Sequence, residues 1–153
     1  MDTGILLAAE TETRGYGMSA GIQDHPDVVG EDVWLTIPPF SEYLRTVRLV
    51  AADAAGRAGL DYDEIEDFRI AVDELCHLLM SSTDHEIELA LGVVGRCVLA
   101  RGRTLPRAGC RLAPLNDLSR TIIDSVSDHH ELLERDDELG FAVMKEARRV
   151  RAR

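Results

Sequence analysis

Two carboxylates stand side by side at Asp73 and Glu74, in the apolar second half of the stretch DYDEIEDFRIAVDELCHLLM, Asp61 to Met80. Ile65, Phe68, Val72, Leu75 and Leu79 recur there at helical spacing and form one apolar stripe. A carboxylate set among such residues costs free energy unless it has a partner or a job. A second cluster able to do chemistry is basic. Arg96, Arg101, Arg103, Arg107 and Arg111 fall in a run without any Asp or Glu. Such a strip can hold an acidic partner or a phosphate; the plainer reading is a solvated loop. Arg45 and Arg48 lie three apart on the first predicted helix, ahead of that stretch, and so share a face.

Composition narrows the field. The 153 residues suit one domain with a single core. The net charge of -11 argues against direct nucleic-acid binding, which rests on neutralising phosphates with Lys and Arg. It is compatible with a basic protein partner and equally with solubility alone. No apolar run approaches the ~20 residues that a membrane-crossing helix needs, and the start Met-Asp-Thr-Gly does not resemble a secretory signal. The three cysteines, Cys76, Cys97 and Cys110, have no close pairing. They fit reduced thiols and a cytoplasmic location better than a disulfide framework or a zinc site. His129 and His130 are adjacent, and neighbours on a strand point to opposite faces. No metal site is expected.

The elements that must position these groups read as follows. Residues 1–31 hold five Gly and no sustained period, which suggests a flexible N-terminal extension; Met18 is an alternative translation start to Met1. Residues 32–153 form the domain. Val33–Ile37 is β-rich and stopped by Pro38-Pro39. Ser41 is a plausible N-cap for a helix carrying Leu44, Val47, Ala51, Ala54, Ala55 and Ala58, and Gly59 sits where that helix would stop. The second helix begins near Asp61 or Asp63. Strands are expected at Glu86–Gly92 and Arg96–Arg101, with a turn around Val94-Gly95 and a loop over 102–115. Asn116 or Asp117 can cap a third helix through Val126. His130–Arg135 and Leu139–Ala147 flank an acidic turn and read as a hairpin. The piece LGFAVMKEA suits a helix by propensity, but the turn before it favours a strand. The order is β-α-α-β-β-α-β-β, an α+β domain with helices on one face of a sheet.

The stretch IPPFSEYLRTVRLVAADAAGRAGLDYDEIEDFRIAVDELC resembles the first half of the anti-sigma-factor serine/threonine kinases, members of the GHKL ATPase superfamily. A strand ending in Pro, an Arg-rich first helix, a Gly-Leu-Asp linker and AVDE in the second helix carry the likeness. It is clear over 33–80 and extends by element order to about 148. It looks closest to actinobacterial anti-sigma factors with degenerate nucleotide sites. The resemblance implies a two-layer α/β sandwich, the Bergerat (histidine kinase-like ATPase) fold, and homodimerisation.

Active members carry E-x-x-x-N on the second helix. Residues i and i+4 stack on one helix face, so the Glu can orient or deprotonate a substrate while the Asn oxygen binds Mg²⁺ beside the phosphates. Glu74 matches the first position, but Leu78 stands at the second and has no oxygen to offer. In the next box, D-x-G-x-G, the adenine-reading Asp is replaced by Ala100, and only Gly102 survives of the glycines; the Gly-rich lid is reduced to Gly109. Glu74 is therefore expected as a remnant with no confident catalytic role, held by an Arg or exposed at a pocket mouth. Glu74 and Gly102 are the candidate nucleotide-contacting residues, with ATP/Mg²⁺ not expected to bind well. Arg45 and Arg48 are the candidate partner-binding residues, Arg48 taking the place of the family's helix-one arginine. The implied function is a regulator that sequesters an RNA polymerase sigma factor and is countered by an anti-anti-sigma protein with a STAS domain. The alternative is an ATP-dependent kinase of that antagonist.

Overall fold

The computed structural model describes residues 32–149. The expected extension over 1–31, the choice between Met1 and Met18, and the last four residues lie outside the described residues. The order of elements is the expected one. Five strands, β1 (Val33–Ile37), β2 (Ile87–Val94), β3 (Cys97–Thr104), β4 (His129–Glu134) and β5 (Leu139–Glu146), make one sheet in the order β1-β2-β3-β5-β4. Every neighbouring pair is antiparallel. Three helices, α1 (Leu44–Arg57), α2 (Tyr62–Met80) and α3 (Asp117–Val126), lie on one face.

The period-two alternation of the strands decides which residues meet the helices. Ile87, Leu89 and Leu91 of β2, Val98 and Ala100 of β3, and Leu139, Phe141 and Val143 of β5 enter one core with the helices. From α1 come Leu44, Val47 and the alanines at 51, 54 and 55; from α2, Phe68, Val72, Leu75, Leu78 and Leu79. The small alanines let α1 lie close to its neighbours.

Local sequence sets the ends of the helices. Asp61 caps α2: its carboxylate accepts from the Glu64 amide at 2.9 Å, and the Glu64 carboxylate accepts from the Asp61 amide at 2.8 Å. Glu64 is buried, and its other oxygen accepts from the Arg148 amide at 2.8 Å, which ties the last strand's exit to the start of α2. Asn116 caps α3 by accepting from the Ser119 amide at 2.8 Å. α1 ends in a left-handed Gly59 (φ 89°), with the Leu60 amide donating to Ala55 O at 3.1 Å.

Some boundaries differ from expectation. Ser41 does not cap α1: a 3-10 turn over Ser41–Tyr43 comes first, and neither start has a side-chain cap. Strand β2 runs two residues beyond its expected end and β3 three, Arg103 keeping to the β3 ladder where it meets Glu88 on the face away from the helices, beside Arg101 and its partner Asp32. The loop after β3 accordingly begins at 105, and the LGFAVMKEA piece is a strand. Among the described residues no helix is long and apolar enough to cross a membrane.

Candidate functional site

The adjacent carboxylates both have partners, on different elements. Asp73 accepts from Arg48 Nε of α1 at 2.7 Å. His77, one turn on, places Nδ1 3.0 Å from the Asp73 carbonyl and 3.5 Å from its carboxylate. Glu74 turns toward α3, where its Oε2 accepts from Ser119 Oγ at 3.1 Å. The expected arginine partner or open pocket mouth for Glu74 is thus replaced by a hydroxyl in the first turn of α3. Asp73 and Ser119 went unnoticed in the sequence as partners. They stand 25 and 45 residues from the groups they bind, so only the packing of α2 against α1 and α3 brings them together.

One turn beyond Glu74, Leu78 is 9% exposed and packs in the core cluster with Leu112 and Ile123. The place the family uses for a metal-binding amide therefore holds a packed hydrocarbon, and the donor set at 74 and 78 does not fit Mg²⁺. Ala100 is fully buried, paired with Leu91 on one side and Val143 on the other. Gly102 sits inside β3 opposite Phe141, not in a loop. A Cβ there would lie 2.7 Å from the Phe141 ring and 3.0 Å from Leu89. The glycine admits the aromatic ring across the ladder.

Arg45 is exposed on α1. Arg48, on the same face, is half-buried, and its charge is met by Asp73 within the chain.

The basic strip does not form one surface. Arg96 donates to the carbonyls of Ala147 at 2.8 Å and Arg148 at 2.6 Å. Arg101 pairs with Asp32 at 2.9 Å, Arg103 with Glu88 at 2.9 Å and Arg107 with Asp84 at 3.0 Å. Arg111 lies 3.6 Å from Glu134. Arginines close in sequence thus find acids from four other segments, with Arg101 and Arg103 sharing one face of β3. Arg107 and Arg111, with Gly109, Glu134, Arg135 and Asp136, line a cavity of about 350 Å³ between the 106–111 loop and the β4–β5 turn. That loop is anchored at its root: Thr83 Oγ1 donates to Leu105 O at 2.6 Å, and the Arg107 amide donates to Ser82 O at 2.8 Å.

Cys76 is fully buried, and burial with the nearby Asp73 charge pushes its thiol well above the ordinary range. Burial, with Glu146 and Asp128, also raises Cys97. Among the described residues no group of three His, Cys, Asp or Glu is placed to hold a metal ion.

No protein-family model matches the chain. Over 46 residues it is 46% identical to a serine-protein kinase RsbW of Halalkalibacterium halodurans and 44% identical to one of Bacillus cereus. The match takes in 30% of this chain and 28% and 29% of those proteins. The chain thus spans under a third of the length of the curated relatives it matches. Among solved structures it is similar to the RsbU and RsbW domains of Rv1364c from Mycobacterium tuberculosis, with a TM-score of 0.59 at 17% identity. That likeness covers 78% of this chain and 34% of the other. These findings support the resemblance to the anti-sigma-factor kinases, and the structural likeness supports the two-layer α+β fold.

Proposed function

We propose that the chain is a regulator of the anti-sigma type that works by protein contact: it holds an RNA polymerase sigma factor and yields it when a STAS-domain antagonist competes. Efficient ATP chemistry is not part of this reading, and the protein would act in the cytoplasm. The observation that carries it is Leu78, packed into the core one helical turn after Glu74, where the resemblance calls for a metal-binding oxygen. Ala100, buried in place of the adenine-reading Asp, supports the same reading. The helix surface around Arg45 is the candidate contact. Arg48 is a weaker candidate than its position suggests, because Asp73 already occupies it.

A kinase acting on the antagonist is the second reading. It is favoured by Glu74, whose carboxylate keeps a polar partner in Ser119, and by the names of the relatives.

Titration with a fluorescent ATP analogue and Mg²⁺ separates the two. The contact reading expects no binding at millimolar nucleotide. Micromolar binding with phosphate transfer to a STAS protein would replace it with the kinase. Leu78→Asn supplies the missing amide but not the adenine-reading Asp, so it should not restore binding. It should destabilise the fold by about 1–3 kcal/mol if the amide stays unpaired. Tight ATP binding by that single variant would contradict the assigned register.

A further inference from the structure

The cavity between the 106–111 loop and the β4–β5 turn is lined by none of Glu74, Leu78 or Ala100. Its two walls are braced separately. On the loop side, Arg107 Nε donates to Asp84 at 3.0 Å, and the same guanidinium lies against the Cys110 thiol. The Cys110 amide donates to Arg107 O at 2.8 Å, closing a turn in which Gly109 takes the left-handed conformation at φ 75°. On the other side, the Arg135 amide donates to Glu138 O at 2.8 Å and closes the β4–β5 turn. Across the gap, Arg111 faces Glu134. Their nearest atoms are 3.6 Å apart, too far for a direct hydrogen bond. The pairs Arg48–Asp73 and Arg103–Glu88, by contrast, meet at 2.7 and 2.9 Å. The Arg111 side chain is 84% exposed, so a ligand reaches it from solvent.

We propose that this cavity binds a small zwitterion, a free α-amino acid, with its carboxylate on Arg111 and its ammonium on Glu134. The balance of charge selects the class. The lining carries three arginines and two acids, and Asp84, outside the cavity, already meets Arg107. Arg111 and Arg135 then stand against Glu134 and Asp136. The loop supplies no acid; both acids come from the turn, which sets the direction of the ligand. An anion alone would take Arg111 and leave Glu134 without its counter-ion, and a cation would do the reverse. A zwitterion replaces one long ion pair by two direct hydrogen bonds between charged groups, which are the strong ones. The guanidinium fork also matches a carboxylate in shape. The size fits. A volume of about 350 Å³ lies at the low end of the roughly 300–1,000 Å³ of small-molecule sites. Both walls hold their shape through their own bonds, so binding spends little on ordering them. The site is independent of sigma-factor contact and of nucleotide.

The test titrates the full chain by calorimetry with L-glutamate, L-lysine and L-leucine in turn, and with acetate and methylammonium as the two halves of the ligand. At least one of the amino acids should bind one-to-one at millimolar concentration or below, and neither half should bind at that concentration. Arg111→Gln and Glu134→Gln should each weaken the binding at least tenfold. Both variants should stay folded, because an exposed pair adds little to stability. No binding by any of the three amino acids would overturn the proposal. Acetate binding as tightly as the amino acid, and more tightly still in Glu134→Gln, would make the cavity a plain anion site and overturn it too. Binding untouched by either substitution would place the ligand elsewhere, with the same consequence.

Discussion

Asp32 and Arg101 are joined on a buried sheet face, and removing one charge tests what that pair contributes. The Arg101 side chain is 2% exposed and the Asp32 side chain 6% exposed. Burial pushes the Arg101 guanidinium from 12.5 down to about 10, although Asp32 pulls the other way. At 1.36 kcal/mol per unit, that is about 3 kcal/mol against the charged form. Burial also raises Asp32, with the charge and hydrogen bond of Arg101 opposing it. Both ions thus carry a desolvation cost that their contact at 2.9 Å offsets only in part. Asp32→Asn keeps the shape and removes the charge, leaving a buried cation unpaired. Its expected cost is about 3–5 kcal/mol, at the lower end because the Asn oxygen still accepts a hydrogen bond. Adding Arg101→Met replaces the cation by an apolar chain of similar length. The double variant should recover most of the loss, and it is allowed to exceed the wild type by about 1–4 kcal/mol, as replaced buried ion pairs often do. Urea denaturation of the three proteins reads these differences as shifts in midpoint at constant slope. A double variant as unstable as Asp32→Asn alone would refute the reasoning, since it would mean that the arginine stabilises by packing rather than suffering from burial.

Two further outcomes are expected. Gly102→Ala should cost about 1–3 kcal/mol, because the added methyl meets the buried Phe141 ring and Leu89 at once; Phe141→Leu in the same chain should relieve part of that loss in the same denaturation assay. His130 lies below its ordinary 6.5, chiefly through burial, with His129 and Arg120 adding to the shift and Asp124 opposing it. Below that ordinary value the unfolded chain therefore takes up the proton first, and stability falls as pH drops through 6.5 toward the folded value. His130→Gln should shrink the loss of urea midpoint between about pH 7.5 and pH 5.5, where histidine titrates; an identical loss in both proteins would remove His130 from the acid response.

The architecture was legible because its signals are local. Pro38-Pro39, Asp61 with Glu64, Gly59 and Asn116 each end or start an element through groups within a few residues. Strand alternation then sorts core from surface without further information. Boundaries failed where a distant partner decided them. Arg103 read as a loop residue, but in the fold it stays in β3 and pairs with Glu88. Ser41 read as a cap by type, but it opens a 3-10 turn over Ser41–Tyr43 that precedes the helix and has no side-chain cap. The basic strip failed for a related reason: a run of like charges says nothing about acids 15 to 69 residues away, and those acids pair with it. The likeness that named Glu74 as a remnant was local as well, whereas its partner Ser119 was fixed only by the docking of α3.

The positions that depart from the nucleotide-binding pattern share a further property. Leu78 belongs to the core cluster that also holds Leu112 and Ile123, Ala100 is paired between Leu91 and Val143, and Gly102 lies under Phe141. Each is part of the core between sheet and helices. An Asp returned to position 100 would be a carboxylate in a fully buried site, with no cation from β2 or β5 facing it in its own row. That costs several kcal/mol before any nucleotide could repay it. An Asn at 78 would displace a core leucine in the same layer. The departures are therefore coupled through packing: each single reversal costs stability without restoring the site, and rebuilding it requires repacking the core around positions 78, 100 and 102 together. A surface that recognises another protein needs no such repacking, since α1 and the exposed edge of α2 can change freely while the core beneath stays as it is.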